Sequence, residues 1–221
     1  MKNLKNSVAE TQEKTNIYNV VILDMSGSMQ AIKQEAISGY NETLQTIKTA
    51  QQQYADTQNH FVTLVIFNSR AIHMVCDRIA CAKAKELTGK TYTPDSYTPL
   101  YDAMGITLSR FQETIDAATD HKVLVTVITD GQENDSKKYT GMQIHQMVTA
   151  LKSSGWVFTY IGANHDVETF AKTIAVSNTL TYDSTRQGAQ AMFAKESKHR
   201  MVFYNKIFKG TADLQSRFFD E

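Results

Sequence analysis

Apolar and polar positions along this chain follow two periods, and the switches between them mark its elements. Ile17 to Asp24 contains the unbroken apolar run Val20-Val21-Ile22-Leu23, which reads as a strand buried on both faces. Ile37, Tyr40, Leu44 and Ile47 then share one face of a predicted helix over 31–53. His60 to Phe67 is the second strand. Asn68-Ser69-Arg70 is a tight turn into a third, Ala71 to Cys76, and so short a link predicts an antiparallel hairpin. A short helix is expected around 79–87, ahead of a polar loop from Thr88 to Tyr97. Leu100, Met104, Leu108, Phe111, Ile115 and Ala118 mark the next helix. A second buried strand, Val123-Leu124-Val125-Thr126-Val127-Ile128, leads to Asp130. A helix around 138–154 carries Ile144, Met147, Val148 and Leu151, and Ser153-Ser154-Gly155 stops it. Trp156 to Ile161 is strand five, Val167, Phe170, Ala171 and Ile174 mark another helix, and Thr179 to Tyr182 is a short last strand. Strands alternating with helices predict an α/β fold, with a mainly parallel sheet covered on both faces.

Residues 1–14 read as a polar tail, 15–182 as the domain, and 183–221 as a helical C-terminal extension. From Arg186 to Arg217 the extension carries Lys or Arg at 186, 195, 198, 200, 206, 209 and 217, against acids at 196 and 213. Phe193, Phe203, Tyr204, Phe208, Phe218 and Phe219 are interleaved with them. The expected arrangement is a terminal helix that packs its apolar stripe on the domain and leaves its basic residues solvated. Docking of a partner on this segment and contact with nucleic acid are the alternatives.

Composition narrows the function. Lys+Arg 23 against Asp+Glu 23 gives zero net charge, which argues against a general nucleic-acid or membrane-surface binder. Residues 1–15 lack the apolar segment of a signal peptide, and no window reaches the roughly 20 apolar residues of a membrane span. Cys76 and Cys81 are too few for a disulfide framework, and C-x₄-C without a second pair is a poor zinc signal. They read as reduced thiols of a cytoplasmic protein.

The chemistry concentrates where strands end. Asp24-Met25-Ser26-Gly27-Ser28 follows the first strand and sets one carboxylate and two hydroxyls at i, i+2 and i+4. Thr98 precedes a helix, and Asp130, followed by Gly131, closes the second buried strand. All these donors are oxygens, which suit hard cations and not soft ones. Gly27 would relieve crowding between the serines, and Asp102 would face the dipole of its helix. Asp135 or Ser136 would cap the helix after Asp130.

Asp-x-Ser-x-Ser, a distant Thr, and Asp-Gly after a strand resemble the von Willebrand factor type A (VWA) family, in an intracellular, bacterial-type form, over about residues 15–182. The resemblance implies a Rossmann-like three-layer α/β/α sandwich. Its six-stranded, mostly parallel sheet would have order 3-2-1-4-5-6 with strand three antiparallel. It also implies a metal-ion-dependent adhesion site (MIDAS) formed by Asp24, Ser26, Ser28, Thr98 and Asp130. In that family the serines bind the ion directly and the aspartates act largely through water. The threonine changes between the two modes. The ion expected is Mg²⁺, with Mn²⁺ and Ca²⁺ as substitutes.

The function expected is therefore non-enzymatic: capture of an Asp or Glu carboxylate of a partner protein, within an intracellular complex. A metal-dependent hydrolase or phosphatase is the first alternative. It lacks an Asp-x-Asp pair, a P-loop, a Gly-x-Ser-x-Gly elbow and any His placed as a base. The second is a nucleic-acid-associated adaptor that uses the basic aromatic C-terminal segment.

Overall fold

The structure, a computed structural model, describes residues 13–115, 120–212 and 217–219. Six strands form one sheet: β1 (Thr15–Asp24), β2 (Gln58–Asn68), β3 (Ala71–Ala80), β4 (His121–Thr129), β5 (Val157–Gly162) and β6 (Asn178–Thr181). Their order is β3-β2-β1-β4-β5-β6, and every neighbouring pair is parallel except the β2–β3 hairpin. This is the expected Rossmann-like α/β order. Among the described residues five α-helices cover the sheet: α1 (Lys33–Gln53), α2 (Leu100–Thr114), α3 (Gly141–Ser153), α4 (Val167–Thr173) and α5 (Arg186–Phe208).

Successive residues of a strand face opposite sides, so a sheet covered on both sides needs continuous apolar runs. β1 follows this rule. Val21 and Leu23 pack with Tyr40 and Leu44 of α1 and Phe193 of α5, whereas Val20 and Ile22 pack with Met104 of α2 and Val148 of α3. Contact between α1 and α5 is close enough that a β-carbon on Gly39 would fall 2.0 Å from the Phe193 ring.

Because β1 and β4 are neighbours while their chains continue to opposite sides of the sheet, the two strand ends open at the topological switch point. That is where open α/β sheets form their sites.

Three local expectations are corrected. The short helix around 79–87 does not form; β3 continues to Ala80, a 3₁₀ turn spans Cys81–Lys83, and the chain then runs irregularly. Here the backbone finds a partner other than a helical turn. The Leu87 N–H donates to Asn41 Oδ1 (2.8 Å), and Asn41 Nδ2 donates to the Leu87 carbonyl (3.1 Å). The helix after Asp130 starts at Gly141, not near 138, and its cap is Thr140, in a capping box with Gln143. The first helix, expected over 31–53, starts at Lys33, and its first two expected residues end the 3₁₀ segment Gly27–Ile32. Ala118, residues 1–12 of the expected tail and parts of the C-terminal extension lie outside the described residues.

The extension is also not as expected in one respect. Arg186, Lys195, Lys198 and Lys209 are exposed, but Arg200 is completely buried beside Glu196. Around them lie Asn19 and His60 of the sheet and Tyr204 of α5.

His60 supplies a pH prediction. It is 1% exposed, its ring stands edge-on to Tyr204, and its Nδ1 has no hydrogen-bond partner among the described residues. Burial first, and then the charge of Arg200, lower its pKa from 6.5 to about 4. A depressed native pKa means that the unfolded chain takes up the proton first. The stability tied to neutral His60 is therefore complete above pH 6.5 and is lost as pH falls toward about 4, by up to about 3 kcal/mol. Urea unfolding of wild type and His60→Gln between pH 4 and 7.5 should give a difference that changes over this window. A constant difference would contradict the assignment.

Candidate functional site

The carboxyl ends of β1 and β4, the loop after β1, and the loop before α2 bring together all five residues singled out in the sequence. Asp24 is fully buried; its Oδ1 accepts the Ser26 N–H (2.7 Å) and its Oδ2 accepts the Thr129 hydroxyl (2.6 Å). Asp130, also buried, accepts the Ser28 hydroxyl on Oδ1 (2.5 Å) and the Ser184 hydroxyl on Oδ2 (3.2 Å). The Ser26 and Ser28 Oγ atoms are 3.2 Å apart. Thr98 is held through its backbone. Its N–H donates to Asn134 Oδ1 (2.8 Å), and its carbonyl accepts the Asn134 N–H (3.1 Å).

Burial dominates the electrostatics. It raises Asp24 from 3.8 to about 6, against the lowering effect of the Thr129 and Ser26 hydrogen bonds, and the charge of Asp130 adds a further rise. Burial raises Asp130 as well. Among the described residues no Lys, Arg or His forms an ion pair with either carboxylate. Two buried carboxylates side by side without a cation are unfavourable unless positive charge arrives from outside.

The donor set fits a small hard cation. Cis oxygens of an octahedral ion with bonds of about 2.1 Å are about 3.0 Å apart, and the serine pair has nearly that spacing at 3.2 Å. No group of three or more His, Cys, Asp or Glu comes together anywhere among the described residues, and at this site the two carboxylates are joined by hydroxyls alone.

Gly131 lies against the cluster. A β-carbon there would stand in ordinary contact with Thr98 Oγ1 (3.4 Å) and Ser28 Oγ (3.6 Å). Gly131→Ala should therefore fold normally, and if the hydroxyls hold a divalent ion, the added methyl should weaken its binding by calorimetric titration; unchanged affinity would mean the methyl does not reach the site. The crowding expected at Gly27 is not found, since a β-carbon there would come no nearer than 3.4 Å to the Ser96 carbonyl oxygen.

The surrounding loops are cross-braced. Asp102 lies in the first turn of α2 as expected, but its carboxylate also accepts the N–H groups of Lys137, Lys138 and Tyr139, each at 2.8 Å. Glu133 accepts the Tyr101 N–H at the start of α2 (2.8 Å), as well as the N–H groups of Asp135 and Ser136. Neither Asp135 nor Ser136 therefore caps α3. Tyr92, wholly buried, donates its hydroxyl to the Asp24 carbonyl (2.5 Å), and Asn164 donates to the Asp130 carbonyl (3.1 Å).

Sequence reasoning missed Thr129, Ser184, Tyr92 and Asn164. Thr129 adjoins Asp130, so a search of the strand end would have found it. Ser184 lies 54 positions from Asp130 and carries no local signal.

No family model matches the sequence, and no curated protein matches it. Solved structures do match its fold. A von Willebrand factor type A protein from Catenulispora acidiphila is 13% identical with a TM-score of 0.52, over 85% of this chain and 43% of that one. Proximal thread matrix protein 1 from the mussel byssus, solved with a zinc-occupied MIDAS motif, is 15% identical with a TM-score of 0.55, over 86% of this chain and 47% of that one. The pilus adhesin SpaC from Lactobacillus rhamnosus GG is 14% identical with a TM-score of 0.55, over 87% of this chain and 32% of that one. The chain thus spans less than half the length of each. At these identities the likeness establishes a VWA-like fold.

Proposed function

We propose that this chain is a divalent-cation-dependent protein-interaction module that takes a carboxylate of a partner. The observation that carries the reading is the convergence of buried Asp24 and Asp130 with three hydroxyls, where among the described residues no Lys, Arg or His forms an ion pair with either carboxylate. In this reading Ser26, Ser28 and Thr98 offer neutral oxygens to the ion, and Asp24 and Asp130 balance its charge. Mg²⁺ is the ion of choice for such a donor set, with Mn²⁺ or Ca²⁺ as substitutes. When bound, the ion supplies an electrophilic position for one further anionic oxygen, that of an Asp or Glu side chain on the partner.

The chain's own residues do the rest. Thr129 and the Ser26 N–H fix the rotamer of Asp24, and Ser184 fixes that of Asp130. The Asn134 bridge positions the backbone of Thr98. The mussel protein's zinc-occupied motif supports the idea that this fold can hold a divalent ion at such a place. We assign residues 15–182 to the module and 183–221 to its extension.

A hydrolase reading has no comparable support. Ser28 contacts Asp130 and Ser26, and the His165 imidazole is engaged by Tyr160 and the Ala163 carbonyl. Both cysteines are free thiols, which agrees with work in a reducing compartment, and among the described residues no helix is long and apolar enough to cross a membrane.

The test is calorimetric titration with Mg²⁺, Mn²⁺ and Ca²⁺, followed by affinity capture in Mg²⁺ and in EDTA. One saturable site, removed in Ser26→Ala, and a captured protein that EDTA releases are expected. No saturable binding of any of the three ions would overturn the reading.

A further inference from the structure

We propose that Tyr97 is a specificity-determining contact beside this site, and that it selects partner segments in which a large apolar side chain lies one or two residues from the coordinating acid. The inference rests on the carboxylate-capture reading above.

Among the described residues only Tyr97, Met142, Val202 and Phe208 are large apolar side chains left exposed. Met142 belongs to α3, and Val202 and Phe208 to α5. Tyr97 immediately precedes Thr98, and its side chain is 65% exposed, with no ring contact and no partner for its hydroxyl among the described residues.

The backbone around it is far from free. The Tyr97 N–H donates to Ser69 Oγ (3.2 Å), and its carbonyl accepts the Ser69 N–H (3.0 Å). Ser96, one residue before, has a left-handed backbone (φ +70°), which non-glycine residues adopt only at a cost in strain. That conformation is held by the Ser96 carbonyl accepting the Gly27 N–H (2.9 Å) and by the Ser96 hydroxyl bonding that of Ser69. The Asp95 N–H is tied to the Met25 carbonyl in turn (3.0 Å). A strained, stitched backbone thus carries an aromatic ring that the fold does not bury.

Folding gains little from such a ring, whereas a binding surface gains a large contact whose backbone is already ordered. Beside it the Arg70–Asp95 ion pair (2.6 Å) is exposed on both partners and provides a polar rim. Tyr97 and Thr98 have adjacent Cα atoms about 3.8 Å apart, and an extended peptide advances about 3.3 Å per residue. A segment whose acid reached the ion would therefore carry its next or second neighbour within one or two residue lengths of Tyr97, the reach of this large exposed side chain.

The test uses a peptide array with one Asp in a Gly-Ser background, scanned with Phe, Leu and Ser at the two positions on either side. Binding of wild type, Tyr97→Ala and Tyr97→Phe is read in Mg²⁺ and in EDTA, with Mg²⁺ affinity measured separately by calorimetry. The expected result is Mg²⁺-dependent retention favouring Phe or Leu at one or two positions from Asp. Tyr97→Ala should lose that preference by at least tenfold while its Mg²⁺ affinity is unchanged, and Tyr97→Phe should keep it. Retention indifferent to the flanking residue, an unchanged Tyr97→Ala, or no retained peptide on Mg²⁺-loaded protein overturns the assignment of Tyr97 and leaves the ion site standing. Absence of Mg²⁺ binding in wild type would instead defeat the reading on which it rests.

Discussion

Arg200→Met should lower the free energy of unfolding by about 3–5 kcal/mol, the range for removing one partner of a buried charge pair. The Arg200 guanidinium is 0% exposed, and Glu196 is 1% exposed. Nε donates to Glu196 Oε1 (2.8 Å), Nη1 to Asn19 Oδ1 (3.0 Å), and Nη2 to Thr126 Oγ1 (2.8 Å). Glu196 itself accepts the Thr43 hydroxyl on its other oxygen (3.3 Å). One side chain of α5 thus joins β1, β4 and, through Glu196, α1. Methionine fills much of the volume but leaves the Glu196 charge buried without a counterion, whereas Asn19 keeps the Tyr204 hydroxyl and Thr126 the Thr159 hydroxyl as donors. The double variant Arg200→Met/Glu196→Leu removes both charges and should recover most of the loss. Urea midpoints for wild type, the single and the double variant decide the matter. A loss under 1 kcal/mol for Arg200→Met would mean that water reaches the pair and that α5 is not fastened through it.

The second large effect concerns Asp24→Asn, and it has opposite signs with and without the ion. Without it, burial holds the Asp24 carboxyl at about 6 against 3.8 in its ordinary state. A raised native pKa means that the folded protein keeps the proton longer. The associated stability is therefore complete below about pH 4 and is lost as pH rises through about 6. Above that, ion-free wild type carries a buried charge that asparagine lacks, and the variant should be more stable by about 1–3 kcal/mol. If the site holds Mg²⁺ as proposed, adding the ion offsets most or all of this difference, and a greater excess reverses the order. At a hundredfold excess over its Kd a ligand of the native state adds about 2.7 kcal/mol to wild type, and the variant should gain nothing. Unfolding at pH 4, 6 and 8, with Mg²⁺ and with EDTA, reads both signs. A variant less stable than wild type in EDTA at pH 8 would mean that the hydrogen bonds to Ser26 and Thr129 outweigh the buried charge. A variant that still responds to Mg²⁺ would remove Asp24 from the proposed ion site.

The sequence by itself determined the elements whose burial is written into local order. Val20 to Leu23 and Val123 to Ile128 are continuous apolar runs, and only a strand covered on both faces wants them. The five oxygen-bearing residues were legible for a related reason, since each sits directly at a strand end or a helix start, and strand ends at the switch point of such a sheet converge. What stayed hidden was every polar pairing between distant segments. Arg200 looks like any surface cation of a basic helix until β1 and β4 lie beside each other and put Asn19 and Thr126 beneath it. Thr129 becomes the partner of Asp24, and Ser184 that of Asp130, for the same reason. Segment 79–87 was misread as a short helix, although β3 runs on to Ala80 and Asn41 satisfies the Leu87 backbone in an irregular course. Hydrophobic periodicity is a local property that a chain carries before it folds. Which hydroxyl, amide or charge meets which carboxylate depends on contacts 50 to 180 positions apart, and only the closed sheet with α5 packed upon it decides them.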